Sequence, residues 1–198
     1  MNRLKWIESA INDHITAINY LRQYGLDTLQ QASEMLCDAL MKGRGIYICG
    51  NGGSAADAQH IAGELVCRFQ KERRALRAMA LNTDTALLTA LSNDYHFDRI
   101  FERQVEALVR EGDVLWALST SGSSPNVLKA AACAGRMKAR VLSFTGKPDT
   151  PLEELSTLCF CAHCDVTARA QEVHVLAYHV LCDLIEKTLF PDEDRDEG

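Results

Sequence analysis

A strand ending in a small-residue loop that opens a helix occurs twice in this chain, and no other feature constrains its fold as tightly. Gly50-Asn51-Gly52-Gly53-Ser54 follows the apolar run Ile46-Tyr47-Ile48-Cys49, and Ser119-Thr120-Ser121-Gly122-Ser123-Ser124 follows Val114-Leu115-Trp116-Ala117-Leu118. At a helix N-terminus the first N–H groups lack helical partners and the dipole is positive, which favours an anion. Glycine lets backbone approach a ligand closely, and serine and threonine hydroxyls add donors without charge. Two such loops in one α/β chain imply a site for a small phosphorylated molecule.

From residue 45 onward the order is strand then helix, repeated. Apolar runs predict strands over about 46–49, 77–81, 114–118, 140–145 and 157–161, with helices over about 54–69, 84–91, 97–110 and 124–138. Val114–Leu118 is apolar throughout, as burial on both faces of a parallel sheet requires. The pattern predicts a three-layer α/β/α doubly wound sheet, with ligands beyond the carboxyl ends of the strands. Two helices precede it, over about 4–23 and 27–42, the first with Ile7, Ile11, Ile15, Ile18 and Leu21 at helical spacing. A last helix over about 167–190 is apolar nearly all round, so burial by its own domain and by a neighbouring subunit is expected.

At 198 residues the chain fits one domain, with a helical arm over about 1–43 and an acidic tail over about 191–198. The tail contributes −4 of the net charge of −6, so no long-range field draws in an anion and any phosphate rests on local donors. The negative balance argues against nucleic acid as a direct partner. The start lacks a signal peptide's apolar core and no run spans a bilayer, so a cytoplasmic protein with no membrane partner is expected. Eight cysteines then read as reduced thiols. Cys159-Phe160-Cys161 alternates as a strand does, and Cys159 to Cys164 lacks the second half of a zinc knuckle.

Gly50-x-Gly52-x-x-Ala55 formally matches a dinucleotide fingerprint, but Asn82 stands where an acidic residue should end the second strand. His60 and Glu64, four apart, share a helical face beyond the first loop, and Gln171 and His179, eight apart, share one on the last helix. His174 points elsewhere and reads as a packing group, as does His14. Spacing alone also allows a solvated His60–Glu64 pair and a core His179. A carboxylate and a histidine beside a sugar-phosphate site are what aldose–ketose isomerisation needs. The base removes the proton alpha to the carbonyl, and the acid moves protons between the oxygens of a cis-enediol.

With these residues the chain resembles the sugar isomerase (SIS) domain family, and within it the isomerases of phosphorylated heptoses. The resemblance is carried by Cys49 to His60, Glu64, Ser92-Asn93-Asp94, Ser119 to Ser124 and Arg169 to His174 with His179. It implies conversion of sedoheptulose 7-phosphate to D-glycero-D-manno-heptose 7-phosphate, the first step towards the nucleotide-activated heptose of lipopolysaccharide core. It further implies Glu64 as base and His179 as acid. Asn51, Gly52, Gly53, Glu64, Asn93, Asp94 and Gln171 would contact the sugar or its phosphate, with Ser119, Thr120, Ser121 and Ser124 as the phosphate cradle. A homotetramer with sites at subunit junctions is also implied.

The family implies zinc on His60, Glu64, Gln171 and His179. Four protein ligands would close a tetrahedral site and occupy the proposed base and acid. The expectation is therefore a labile, regulatory or rearranging metal, with proton transfer the main task of Glu64 and His179. One departure is Pro148-Asp149-Thr150-Pro151, where the family has a glycine pair, expected to leave the cradle intact and to bear on a subunit contact. Leu181 to Pro191 and Ala80 to Asp84 resemble a second SIS protein, a non-enzymatic tetramer that binds the replication initiator DnaA but lacks the acid and base at positions 64 and 179. A sugar-phosphate sensor would keep the loops and not need Glu64.

Overall fold

The computed structural model describes residues 2–191. From Asp192 onward the expected acidic tail lies outside the described residues. Two helices, α1 (Arg3–Tyr24) and α2 (Leu26–Met41), lead into an alternation of β1 (Ile46–Gly50), α3 (Gly53–Val66), β2 (Ala78–Ala80) and α4 (Thr85–Asp94). A 3-10 turn over Phe97–Arg99 precedes α5 (Glu102–Leu108), β3 (Val114–Ser119), α6 (Pro125–Arg136), β4 (Arg140–Thr145), α7 (Pro151–Glu154), β5 (Leu158–Cys161) and α8 (Thr167–Leu189).

The five strands are all parallel, in the order β2-β1-β3-β4-β5. Successive strand side chains point to opposite faces, and both faces are covered. Val114, Trp116 and Leu118 of β3 join one apolar layer with α1, α2, α3 and α8, while Leu115 and Ala117 join the other with α5 and α6. Every residue of β3 is buried. The order reverses between β1 and β3, and the two small-residue loops leave the carboxyl ends of those two strands. That is the switch point at which doubly wound sheets bind ligands.

Three elements differ from the sequence expectation. The helix expected over 54–69 ends at Val66, because the Arg73 guanidinium takes the carbonyls of Glu64, Leu65 and Cys67 that a further turn would have used. The helix expected over 97–110 is a 3-10 turn followed by α5, with the buried Gln104 amide donating to the carbonyls of Leu81 and Ile100. The short α7 was not expected; Thr150 caps it, accepting from the Glu153 N–H, and Pro151 occupies its first position. In α1, Ala17 and Leu21 are buried, while Ile7, Ile11 and Ile15 stay about half exposed. No helix among the described residues is long and apolar enough to cross a membrane.

Candidate active site

The two loops face each other across a cleft of about 310 Å³, at the small end of the range for ligand sites. From the first loop it is lined by Asn51, Gly52, Gly53 and Ser54, and from the second by Ser119, Thr120, Ser121 and Ser124. Thr167 and Gln171 of α8 close the third side. Gly52 has φ +56°, a conformation that favours glycine, and a side chain on Gly53 would run into the Gln171 amide. Asn51 and the buried Asn126 exchange amide hydrogen bonds of 2.8 Å in both directions, which ties one loop to the helix that begins at the other.

The second loop is built of hydroxyls that bond one another. Ser119 Oγ lies 3.3 Å from Ser121 Oγ and 3.1 Å from Ser124 Oγ. Ser124 stands at the N-cap of α6, yet its hydroxyl makes no cap bond to its own helix and turns to Ser119 instead. The loop therefore presents neutral donors and a positive helix end to whatever enters, as an anion requires. Gly122 has φ +62°, and a Cβ there would collide with Thr150. The Leu152 N–H donates to Gly122 O at 3.0 Å, and Gly146 N–H to Thr120 O at 3.0 Å. The Pro148–Pro151 segment thus packs on the cradle itself, a contact that its sequence did not announce.

Farther along α3 and α8, His60, Glu64 and His179 converge, with one donor atom of each within 4.8 Å of the others. His60 Nε2 lies 2.9 Å from Glu64 Oε1 and 3.5 Å from His179 Nε2. The His60 side chain is 47 % exposed and that of Glu64 21 %, so the cluster opens to solvent on one side. His179 stacks on Phe69, and its pKa is lowered by burial and by the neighbouring His60, with Glu64 acting the other way. Tyr178 Oη lies 2.9 Å from His60 Nδ1. Burial, then the Asp57 charge, pushes the Tyr178 pKa up, and burial raises that of Asp57.

A buried ion pair locks the two helices together behind this cluster. Arg73 Nε and Glu186 Oε1 are 3.0 Å apart, with side chains 1 % and 2 % exposed. Arg73 Nη2 also donates to the Glu64 carbonyl on α3, and the Glu186 carboxylate on α8 accepts the N–H groups of Phe69, Gln70 and Lys71. Burial pushes the Glu186 pKa up, but those three N–H groups and Arg73 outweigh it and hold the carboxyl below its usual range.

Of the residues singled out in the sequence, Asn51, Gly52, Gly53, Ser119, Thr120, Ser121, Ser124 and Gln171 line the cleft. Asn93 and Asp94 do not: they lie exposed at the end of α4, with the Asn93 amide donating to Asp94 at 2.9 Å. His174 is fully buried, its Nε2 on Thr145 O at 3.0 Å, and burial lowers its pKa to about 4. His14 pairs with Glu172 at 2.8 Å. Asn82 donates to the Gly50 carbonyl at 2.7 Å and so braces the first loop, where a dinucleotide fold would hold a ribose. The sequence reading missed Asp57, Arg73, Asn126, Thr167, Tyr178 and Glu186. Thr167 and Asp57 carried a local signal, lying one turn from Gln171 and from His60 respectively.

Together the switch-point cleft, its hydroxyl-lined wall and the His/Glu cluster on α3 and α8 define a doubly wound α/β protein with a small polar ligand site. Residues 12–146 match the SIS domain family, and the chain belongs to it. Its relatives narrow this to one branch. The chain is 46% identical over 184 residues to a phosphoheptose isomerase of Geotalea daltonii, covering 93% of this chain and 96% of that one. It is 50% identical over 159 residues to the phosphoheptose isomerase of Campylobacter jejuni, covering 80% and 86%. Among solved structures, the phosphoheptose isomerase of Neisseria gonorrhoeae superposes with a TM-score of 0.89 at 37% identity, covering 94% of this chain and all of that one. That of Francisella tularensis gives 0.91 at 34% identity, with the same coverage. These relatives carry the isomerase name and lend no support to the DnaA alternative.

Proposed function

We infer that the chain is an aldose–ketose isomerase that converts sedoheptulose 7-phosphate to D-glycero-D-manno-heptose 7-phosphate through a cis-enediol. The observation that carries this reading is the convergence of Glu64 and His179 on the two helices that also line a hydroxyl-rich cleft. Glu64 takes the proton from the carbon next to the ketone and returns it to the former carbonyl carbon. His179 moves the hydroxyl proton from one oxygen of the enediol to the other. Ser119, Thr120, Ser121 and Ser124 hold the phosphate by neutral hydrogen bonds, and Asn51, Gly52, Gly53 and Gln171 orient the sugar. Helix geometry supports a long substrate: His60 is seven residues beyond Gly53 and His179 eight beyond Gln171, about 10 Å and 12 Å of helical rise. A seven-carbon chain with phosphate on its last carbon reaches over such a span.

Two imidazoles and a carboxylate within 4.8 Å fit zinc as a donor set. His60, Glu64 and His179 would hold it, while the Gln171 amide lies against Gly53 in the cleft. When bound, zinc supplies positive charge next to the substrate oxygens. Because Glu64 and His179 also serve as base and acid, proton transfer is their main task and the metal is labile. Asn93 and Asp94 are exposed and do not line the cleft within one chain, and the exposed Ile7, Ile11 and Ile15 offer an apolar face. Both features support a homotetramer in which neighbouring subunits complete the site.

The test is an assay of purified protein with sedoheptulose 7-phosphate, with and without chelator, reading the aldose product. Turnover under both conditions is expected. Loss on chelation with recovery on adding zinc would move the metal into the reaction, and no turnover under either condition would overturn the assignment.

A further inference from the structure

His14 pairs with Glu172, His60 with Glu64 and His174 with the Thr145 carbonyl, each at 3.0 Å or less. His179 has no such hold. Among the described residues its one hydrogen-bond contact is the 3.5 Å approach to His60 Nε2, at the outer limit of such a bond. His60 and Tyr178 otherwise meet its ring only edge-on. The one flat surface against it is Phe69, stacked with ring centroids 5.7 Å apart and planes 24° from parallel. Phe69 is held in turn. Its N–H donates to Glu186 Oε1 at 2.8 Å, and the next two N–H groups, of Gln70 and Lys71, donate to Oε2 at 2.8 Å. Glu186 stands on α8 two turns beyond His179, on the same side of that helix. The loop that leaves α3 is thus pinned to the helix that carries the imidazole.

We propose that Phe69, pinned by Glu186, is a positioning residue that fixes the plane of the His179 imidazole. Neither Phe69 nor Glu186 lines the cleft. Three successive N–H groups converge on one side chain, and a carboxylate meets them because it has two oxygens, a charge and no proton of its own. Arg73 adds a fourth bond to that carboxylate at 3.0 Å and ties it to the Glu64 carbonyl at 2.7 Å. Buried polar groups satisfied in this way specify one arrangement of helices, loop and ring. A planar ring is needed at position 69 because the second side-chain torsion of histidine has broad preferences of its own. An aliphatic side chain of similar bulk fills the space and leaves the imidazole free to turn. The consequence for turnover rests on the isomerase reading; the placement of the ring does not.

The experiment uses full-length, metal-free protein labelled with 13C-histidine. The ring protons of His179, assigned by their loss in His179→Gln, should be displaced by the ring current of Phe69, and Phe69→Leu should abolish that displacement. Phe69→Leu should also lower kcat about 10–100-fold with KM and Tm little changed, since a misplaced group costs rate rather than binding. Phe69→Tyr should restore both the displacement and the rate. Glu186→Gln keeps the Phe69 ring and replaces the carboxylate, and should move the His179 signals as Phe69→Leu does; if that variant does not fold, the two substitutions at position 69 decide alone. Undisplaced ring protons in the parent, a Phe69→Leu with the parent's kcat, or a Phe69→Tyr as slow as Phe69→Leu would overturn the proposal. A displacement lost in Phe69→Leu, in a parent protein that does not turn over sedoheptulose 7-phosphate, would support the placement and sink the isomerase reading.

Discussion

The hydroxyl loop and the His/Glu cluster, the two ends of the proposed site, are built by opposite means. The cradle is drawn from six consecutive residues, all neutral, and the hydroxyls of Ser121 and Ser124 both bond that of Ser119. The cluster joins ionisable groups up to 119 residues apart on two helices, with a buried ion pair behind it holding those helices in register. A binding element made of backbone and hydroxyls can be specified locally, because each loop residue needs only its own conformation. A reactive element needs groups whose charges would repel or hydrate if left alone, so it depends on the packing of the whole layer.

This contrast can be broken in several ways, and the largest effect is expected at the reactive end. Glu64→Gln keeps shape and removes the base, and kcat should fall by about 10²–10⁴-fold with KM little changed. Comparable kcat in parent and variant would remove Glu64 from the chemistry. Next comes the lock behind it. Glu186→Ala leaves Arg73 and three N–H groups buried without their acceptor, so urea unfolding should show a loss of about 3–5 kcal/mol. A loss under about 1 kcal/mol, typical of an exposed pair, would show that the helices are held by apolar packing alone.

A third effect separates structural from reactive histidine. His174 has a folded pKa lowered to about 4, so between about 6.5 and 4 the unfolded chain binds a proton that the folded chain does not. Stability is therefore lost as pH falls through that window, by about 3 kcal/mol in full for this residue. His174→Gln keeps an N–H for Thr145 O and should flatten that part of the pH–stability curve; an unaltered slope would mean that His174 takes up its proton while folded. The smallest effect belongs to the cradle. Ser121→Ala with Ser124→Ala should raise KM about tenfold, as expected for about 1–2 kcal/mol of neutral hydrogen bonds, with kcat nearly unchanged. Equal affinity of the parent protein for unphosphorylated sedoheptulose would remove the cradle from substrate binding.

The same contrast explains what could be read in advance. All five strands and both loops were legible because their signals are local: apolar runs, then Gly, Ser and Thr before a helix. His60 with Glu64 was legible for the same reason, as a four-residue spacing on one helix. Arg73 was not, because residues 67–77 have no periodicity and its partner lies 113 positions away. Glu186 sits in a helix that looks apolar, and nothing in its neighbours announces a buried carboxylate. Tyr178 was not singled out at all, since its hydroxyl acquires meaning only when α8 lies against α3. The exposed positions of Asn93 and Asp94 likewise follow from where α4 sits, which a linear reading does not reveal.

The contact between Gly122 and Thr150 has a consequence for binding entropy. The segment from Pro148 to Pro151 fixes its own φ angles at both ends, and it fills the space that any side chain at position 122 would need. The cradle is therefore cast against a stiff wall before any ligand arrives, and ordering it adds little to the cost of association. In the proposed site, affinity for phosphate is then set in part by a segment outside the cleft lining. A looser wall, such as paired glycines, would leave every hydroxyl in place and still bind more weakly.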